Sequence, residues 1–209
     1  MDMGKIEANS RAEQALRTRQ TLLDVALTLF SQQGYSKTSI RSIARAAGLS
    51  DGILYHHFPQ GKQQILSVLL SEGIGHAFTV LNQCNLNLQH APLFEVLNCL
   101  CELSVQLFAQ YGDLLKIILR ENEAMQLDEI HVVSQLFLAR QQWLAQLLAV
   151  RQQQGEIRQM DFELIAQQFM ALNLNYGLTQ LLNLNIGCDL SDLTQRHAML
   201  KQILALWSL

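Results

Sequence analysis

Ser39 to Lys62 read SIRSIARAAGLSDGILYHHFPQGK, two short helical patterns separated by a turn. Ile40, Ile43, Ala44 and Ala47 recur at i, i+3, i+4 and i+7, which puts one apolar stripe on about two turns of helix. Gly48 stops that helix. The residue just past a helix end often needs a positive φ, which glycine adopts without steric cost, and Leu49 can then fold back onto the helix it leaves. Ser50 is placed to cap a second helix from Asp51 to about Phe58, its hydroxyl accepting a backbone N–H two or three residues on. Two such helices joined by Gly-Leu-Ser make a helix-turn-helix, whose second helix enters the DNA major groove through its N-terminal residues.

Working upstream, Leu22, Val25, Ala26, Leu29 and Phe30 form one face of a helix that ends at Gly34. Packed on Ile40, Ile43, Leu54 and Phe58, that face gives a three-helix core that holds the last helix rigid. The matching positions from about Arg19 to Leu66 are Gly34-Tyr35, Thr38-Ser39-Ile40, Ile43-Ala44, Ala47-Gly48-Leu49-Ser50, Leu54-Tyr55, His57-Phe58 and Lys62. This pattern resembles the DNA-binding domain of the TetR (tetracycline-repressor-like) family of bacterial transcriptional regulators. It covers under a quarter of the chain, and the remainder agrees with the family in length and helical character. The resemblance implies an all-α fold, with an N-terminal tail and helix-turn-helix domain over residues 1–62 and a larger helical ligand-binding and dimerisation domain over residues 63–209.

Candidate DNA contacts follow from what faces outward. Arg41 and Arg45 lie on the polar side of the first short helix, Arg41 being the stronger candidate, and Thr38 stands at its start, where a hydroxyl can cap the helix and meet a phosphate. Ser50, Asp51, Gly52 and Ile53 occupy the cap and first turn of the recognition helix, and the small Gly52 lets the backbone approach the groove closely. The resemblance places Tyr55, His56 and Lys62 as backbone or flanking contacts. Lys62 also opens the next helix, whose exposed N–H groups favour phosphate. Asp51 departs from many relatives, which carry a basic or neutral residue there. The carboxylate in the first helical turn either has a capping role, stabilised by the helix dipole, or accepts from a cytosine N4. His56 and His57 point about 100° apart and do not chelate a metal together. Arg11, Arg17 and Arg19 either reach the DNA backbone or stay solvated.

Composition bounds the rest. The chain of 209 residues, 49% hydrophobic, is long enough for a small DNA-binding domain and a larger helical one. The net charge of -3 is unevenly spread. Residues 1–62 carry eight Lys/Arg against five Asp/Glu, and residues 63–209 carry seven against thirteen, so the basic end is the one that phosphates attract. The N-terminus is polar, with no apolar signal region, and about 20 uninterrupted apolar residues occur nowhere, which argues for a cytoplasmic protein with no membrane partner. Cys84, Cys99, Cys101 and Cys188 form no CxxC pair or zinc-ribbon spacing, so buried thiols are expected, with redox sensing by Cys99 and Cys101 a lesser alternative. No phosphate loop, GxSxG or HExxH motif is present, and the reading is that the protein is no enzyme and takes no cofactor or metal.

Met1 to about Ser10 lacks an apolar period and reads as a tail. Beyond Lys62, Ile65, Leu66, Leu69, Leu70 and Ile74 continue a linking helix to about Leu81, with Gly73 and Gly75 near its middle suggesting a bend or close packing. Glu72 and His76 have i, i+4 spacing that suits a surface pair better than a metal site. Pro92 opens a helix closed by Gly112; Asp113 to about Asn122 forms a shorter one; Glu121, Glu123, Asp128 and Glu129 make a solvated acidic turn; Ile130 to Gln154 is helical again. In the family such middle helices surround a ligand pocket, and Phe78, Leu97, Cys101, Leu107, Phe108, Phe137, Arg140, Phe169 and Tyr176 are its candidate lining here, suited to a small, largely hydrophobic effector. Asp161 caps the penultimate helix. Leu178, Leu181, Leu182, Leu193, Leu200, Leu204 and Trp207 are the candidate dimer interface, forming with a second copy the four-helix bundle that the resemblance implies. The expected function is a homodimeric repressor that binds double-stranded operator DNA and is released by that effector. The alternative is a DNA-binding regulator controlled by a protein partner or without a ligand.

Overall fold

The computed structural model describes residues 3–88, 90–125 and 129–209, with side chains for 11–81, 88, 90–121 and 131–209. Among these residues the regular structure is all helical: α1 (Met3–Gln33), α2 (Ile40–Ala46), α3 (Asp51–His57), α4 (Lys62–Leu88), α5 (Leu93–Met125), α6 (Glu129–Gln153), α7 (Phe162–Leu182) and α8 (Leu193–Trp207). The stretch expected to be a tail is helical from Met3. α5 runs unbroken through Gly112, where two helices were expected. That glycine serves close approach, since a Cβ there would lie 3.3 Å from Leu181 Cδ2.

By contacts the chain forms two compact units, Met1–Gly73 with Asp113–Leu127, and Ile74–Gly112 with Asp128–Leu209. The first is built on Leu22, Leu23, Ala26 and Phe30 of α1, Ile43 and Ala44 of α2, Leu54 and Phe58, Ile65, Leu66 and Leu70 of α4, and Ile117 and Ile118 of α5, all at 2% exposure or less. By length and mean hydropathy of 1.3, Lys62–Leu81 is apolar enough to cross a membrane. Its Ile65, Leu66 and Leu70 nevertheless belong to this core.

The core of the second unit gathers Val96, Leu97, Leu100 and Cys101 of α5, Leu144, Leu147 and Leu148 of α6, Ala166, Phe169 and Tyr176 of α7, and Leu200 and Trp207 of α8. Arg196 ties α8 to α5 through Asn98 Oδ1 at 2.9 Å and Glu102 Oε1 at 2.8 Å. Asp161 caps α7 by accepting from the Leu164 N–H, as its position before the apolar run implied. Asn183 ends the helix in the left-handed region at φ 58°.

Candidate functional site

The helix-turn-helix is assembled from local signals. Ser39 is the N-cap of α2, in a box with Ser42: the Ser42 N–H donates to Ser39 Oγ, and the Ser39 N–H donates to Ser42 Oγ, both at 3.0 Å. Gly48 adopts φ 70°, and the Leu49 N–H closes the turn on Ala44 O at 2.9 Å. Ser50 then caps α3, accepting from the Ile53 N–H at 3.3 Å.

With Leu54 and Phe58 in the core, Ser50, Gly52, Ile53, Tyr55 and His56 are left on the outside of α3. Ile53 and Tyr55 are 40% and 50% exposed. Nothing in the fold requires a glycine at 52, because a Cβ there would only touch Ser50 Oγ at 3.8 Å. Asp51 is not the cap. Its carboxylate lies 3.8 Å from the largely exposed Arg41 guanidinium. Burial, then His56, then Arg19 hold the imidazole of His57 below its usual range.

Two expected phosphate contacts are turned inward instead. Thr38 is 1% exposed; its hydroxyl donates to Gly34 O at 2.8 Å and accepts from Gln33 Nε2, and Ser39 takes the capping role expected of it. Lys62 Nζ donates to Tyr35 O at 3.0 Å and Thr38 O at 3.1 Å and lies 4.2 Å from the Tyr35 ring centre. The ammonium therefore fastens the α1–α2 turn to the start of α4. Arg19 is likewise engaged, with Glu72 at 3.1 Å and over the Phe58 ring. Glu72 is thus not paired with His76, which meets the Tyr111 hydroxyl.

Glu121 was expected in solvent. It is 6% exposed and accepts the Tyr35 N–H at 3.1 Å, while Arg120 donates to Ser31 O, so α5 helps hold the end of α1. Glu123 and Glu129 have side chains outside the described residues, as have Asp128 and Cys84.

The proposed pocket lining divides. Leu97, Cys101, Phe169 and Tyr176 are buried within the packed core, and burial pushes the Cys101 thiol up to about 12. Phe108 packs at the edge of that core, Leu107 and Phe137 are half-buried, and Arg140 is buried with its guanidinium donating to Leu81 O. Phe78 is 49% exposed and stands outside that core. The interface candidates divide as well. Leu200 and Trp207 instead fill the chain's own core, and Leu204 packs against it. Leu178, Leu182 and Leu193 are exposed, Leu181 is half-buried, and Leu174, Leu178 and Leu182 make an exposed stripe along α7 at spacings of four. Sequence reasoning missed Asn173, whose side chain is buried among the apolar residues of α7.

Comparison with known proteins adds to this geometry. Residues 22–69 match the family described as "Bacterial regulatory proteins, tetR family". Over 51 residues the chain is 55% identical to the HTH-type transcriptional regulator AcrR of Shigella flexneri, an alignment that covers 24% of each chain. The chain thus spans about a quarter of the length of such curated relatives. Two solved structures share the fold over nearly the full length: the ketosteroid transcriptional regulator KstR2 of Mycobacterium tuberculosis, at TM-score 0.64, 20% identity and 91% and 95% coverage of the two chains, and a Saccharomonospora viridis protein in complex with choline, at TM-score 0.64, 23% identity and 90% and 96% coverage.

Proposed function

Because the chain belongs to the TetR family of bacterial regulators, we propose that it is a cytoplasmic, homodimeric repressor that binds double-stranded operator DNA through α3 and is released by a small, largely hydrophobic effector. The observation that carries the DNA part is the outward strip Ser50, Gly52, Ile53, Tyr55 and His56, held by a helix whose other side is fully packed. Base edges are read by the first turn of such a helix, and Arg41 beside it meets the phosphates. The exposed leucines of α7 and α8 supply a face for a second copy, and two recognition helices then meet successive grooves about 34 Å apart. An effector lowers DNA affinity by favouring a conformation in which that spacing is lost. The Saccharomonospora viridis neighbour is in complex with choline, which supports a small-molecule effector here. The second reading, control by a protein partner or none, draws on the tight packing of Leu97, Cys101, Phe169 and Tyr176.

A gel shift with DNA from upstream of the protein's own gene tests the reading. The wild type retards that DNA, and Gly52→Glu, which the free protein accommodates, abolishes specific retardation while keeping wild-type circular dichroism. Equal retardation by both proteins would remove α3 from the DNA interface.

A further inference from the structure

Asn173 stands in the middle of the buried face of α7, between Phe169 and Tyr176, at 1% exposure. Its Nδ2 donates to Phe169 O at 2.9 Å. That bond sets the amide's orientation, since exchanging nitrogen and oxygen would put two acceptors face to face. Oδ1 is then sealed from solvent with no donor in reach. Two other buried polar side chains of the same unit show the contrast: Thr179 donates to Tyr176 O, and Arg196 donates to Asn98, Glu102 and Leu190 O. A buried acceptor without a donor keeps its full desolvation cost, so one retained in a native core calls for a use.

One turn along the same face lies Gly177. The Phe108 ring is seated on it so closely that a Cβ at 177 would fall 2.0 Å from Phe108 Cζ. Phe108 itself is only half-buried and packs at the edge of the core. The group covering the turn next to Asn173 is therefore an aromatic ring that reaches in from the periphery, over a backbone with no side chain to oppose its departure.

We propose that Asn173 Oδ1 is the polar anchor of an effector site on α7, taking a compact, neutral, largely apolar molecule through a single N–H or O–H donor while its apolar body occupies the place of the Phe108 ring over Gly177. This deepens the effector-released reading and rests on it. The anchor is a neutral acceptor, so the ligand must bring a donor. The buried ionic side chains of this unit among the described residues are Arg140, Arg151 and Arg196, with no buried acid, so a cation would enter uncompensated. An apolar lining with one convergent polar atom is the ordinary composition of a small-molecule site.

Indole with 1-methylindole, and phenol with anisole, are matched probes that differ by one donor. In calorimetric titrations of the full chain, the wild type binds indole or phenol about 10-fold or more tightly than the methylated partner, the worth of one buried hydrogen bond. Asn173→Leu keeps the volume, removes the unpartnered acceptor, retains or raises the melting temperature, and loses the preference. Equal affinity for both members of each pair, no binding of either donor probe up to its solubility limit, or a preference that survives in Asn173→Leu would each overturn the proposal. If Asn173→Leu fails to fold, the wild-type comparison decides alone. A probe-free gel shift of the wild type scores the DNA-binding reading separately, so failure of the one is distinguishable from failure of the other.

Discussion

Lys62 and Arg41 carry the same charge, yet their surroundings assign them different work. Two of the three Lys62 N–H groups are spent on Tyr35 O and Thr38 O, whereas the Arg41 side chain is 78% exposed, with one loose carboxylate neighbour. Lys62→Ala should therefore lower stability by about 1–3 kcal/mol, the range for losing hydrogen bonds from a charged donor, and leave the slope of log affinity against log salt nearly unchanged. Arg41→Ala should do the reverse, reducing that slope by about one for the phosphate it no longer neutralises. Urea melts and gel-shift titrations across a salt series measure both quantities. A reduced slope in Lys62→Ala would return Lys62 to the DNA interface.

The elements show why a glycine in a helix has to be read through its neighbours. Gly112, Gly177 and Gly75 all lie inside helices. A Cβ at Gly112 or Gly177 would press on Leu181 or Phe108, whereas at Gly75 it would meet nothing within 4 Å. Gly75→Ala should thus raise stability by about 0.5–1 kcal/mol through helix propensity alone, seen as a higher urea midpoint with an unchanged m-value. A lower midpoint would show that α4 needs the freedom of glycine there, as a bend would require. α4 and α5 each contribute to both compact units.

For the whole molecule, the division of apolar residues between core and surface decides what assembly looks like. Leu182 is 64% exposed and Leu200 fully buried. Leu182→Arg should give a monomer of wild-type helicity, because an unpaired charge in an apolar interface costs several kcal/mol. DNA affinity should fall with it, since a monomer loses the effective concentration of the second half-site. Leu200→Ala should instead destabilise the protomer by about 2–5 kcal/mol, the usual cost of truncating a buried leucine. Light scattering and thermal melts separate the two outcomes, and dimer mass for Leu182→Arg would move the interface off this stripe.

The helix-turn-helix was legible in 24 residues because its determinants act over short range: the apolar period of α2, the positive φ of Gly48, the Ser50 cap, and Leu54 and Phe58 on one side of α3 are satisfied by neighbours a few positions away. The family resemblance rests on that same stretch. Thr38, Lys62 and Glu121 were beyond it. Lys62 finds its carbonyls 24 and 27 residues back, and Glu121 accepts an N–H 86 residues away, and no local pattern encodes such pairings. Periodicity likewise marked Leu178, Leu182, Leu200 and Trp207 alike as apolar faces. Only the packing shows that the last two are filled by the chain itself and that the first two remain on its surface, because a helical stripe specifies burial without specifying what buries it.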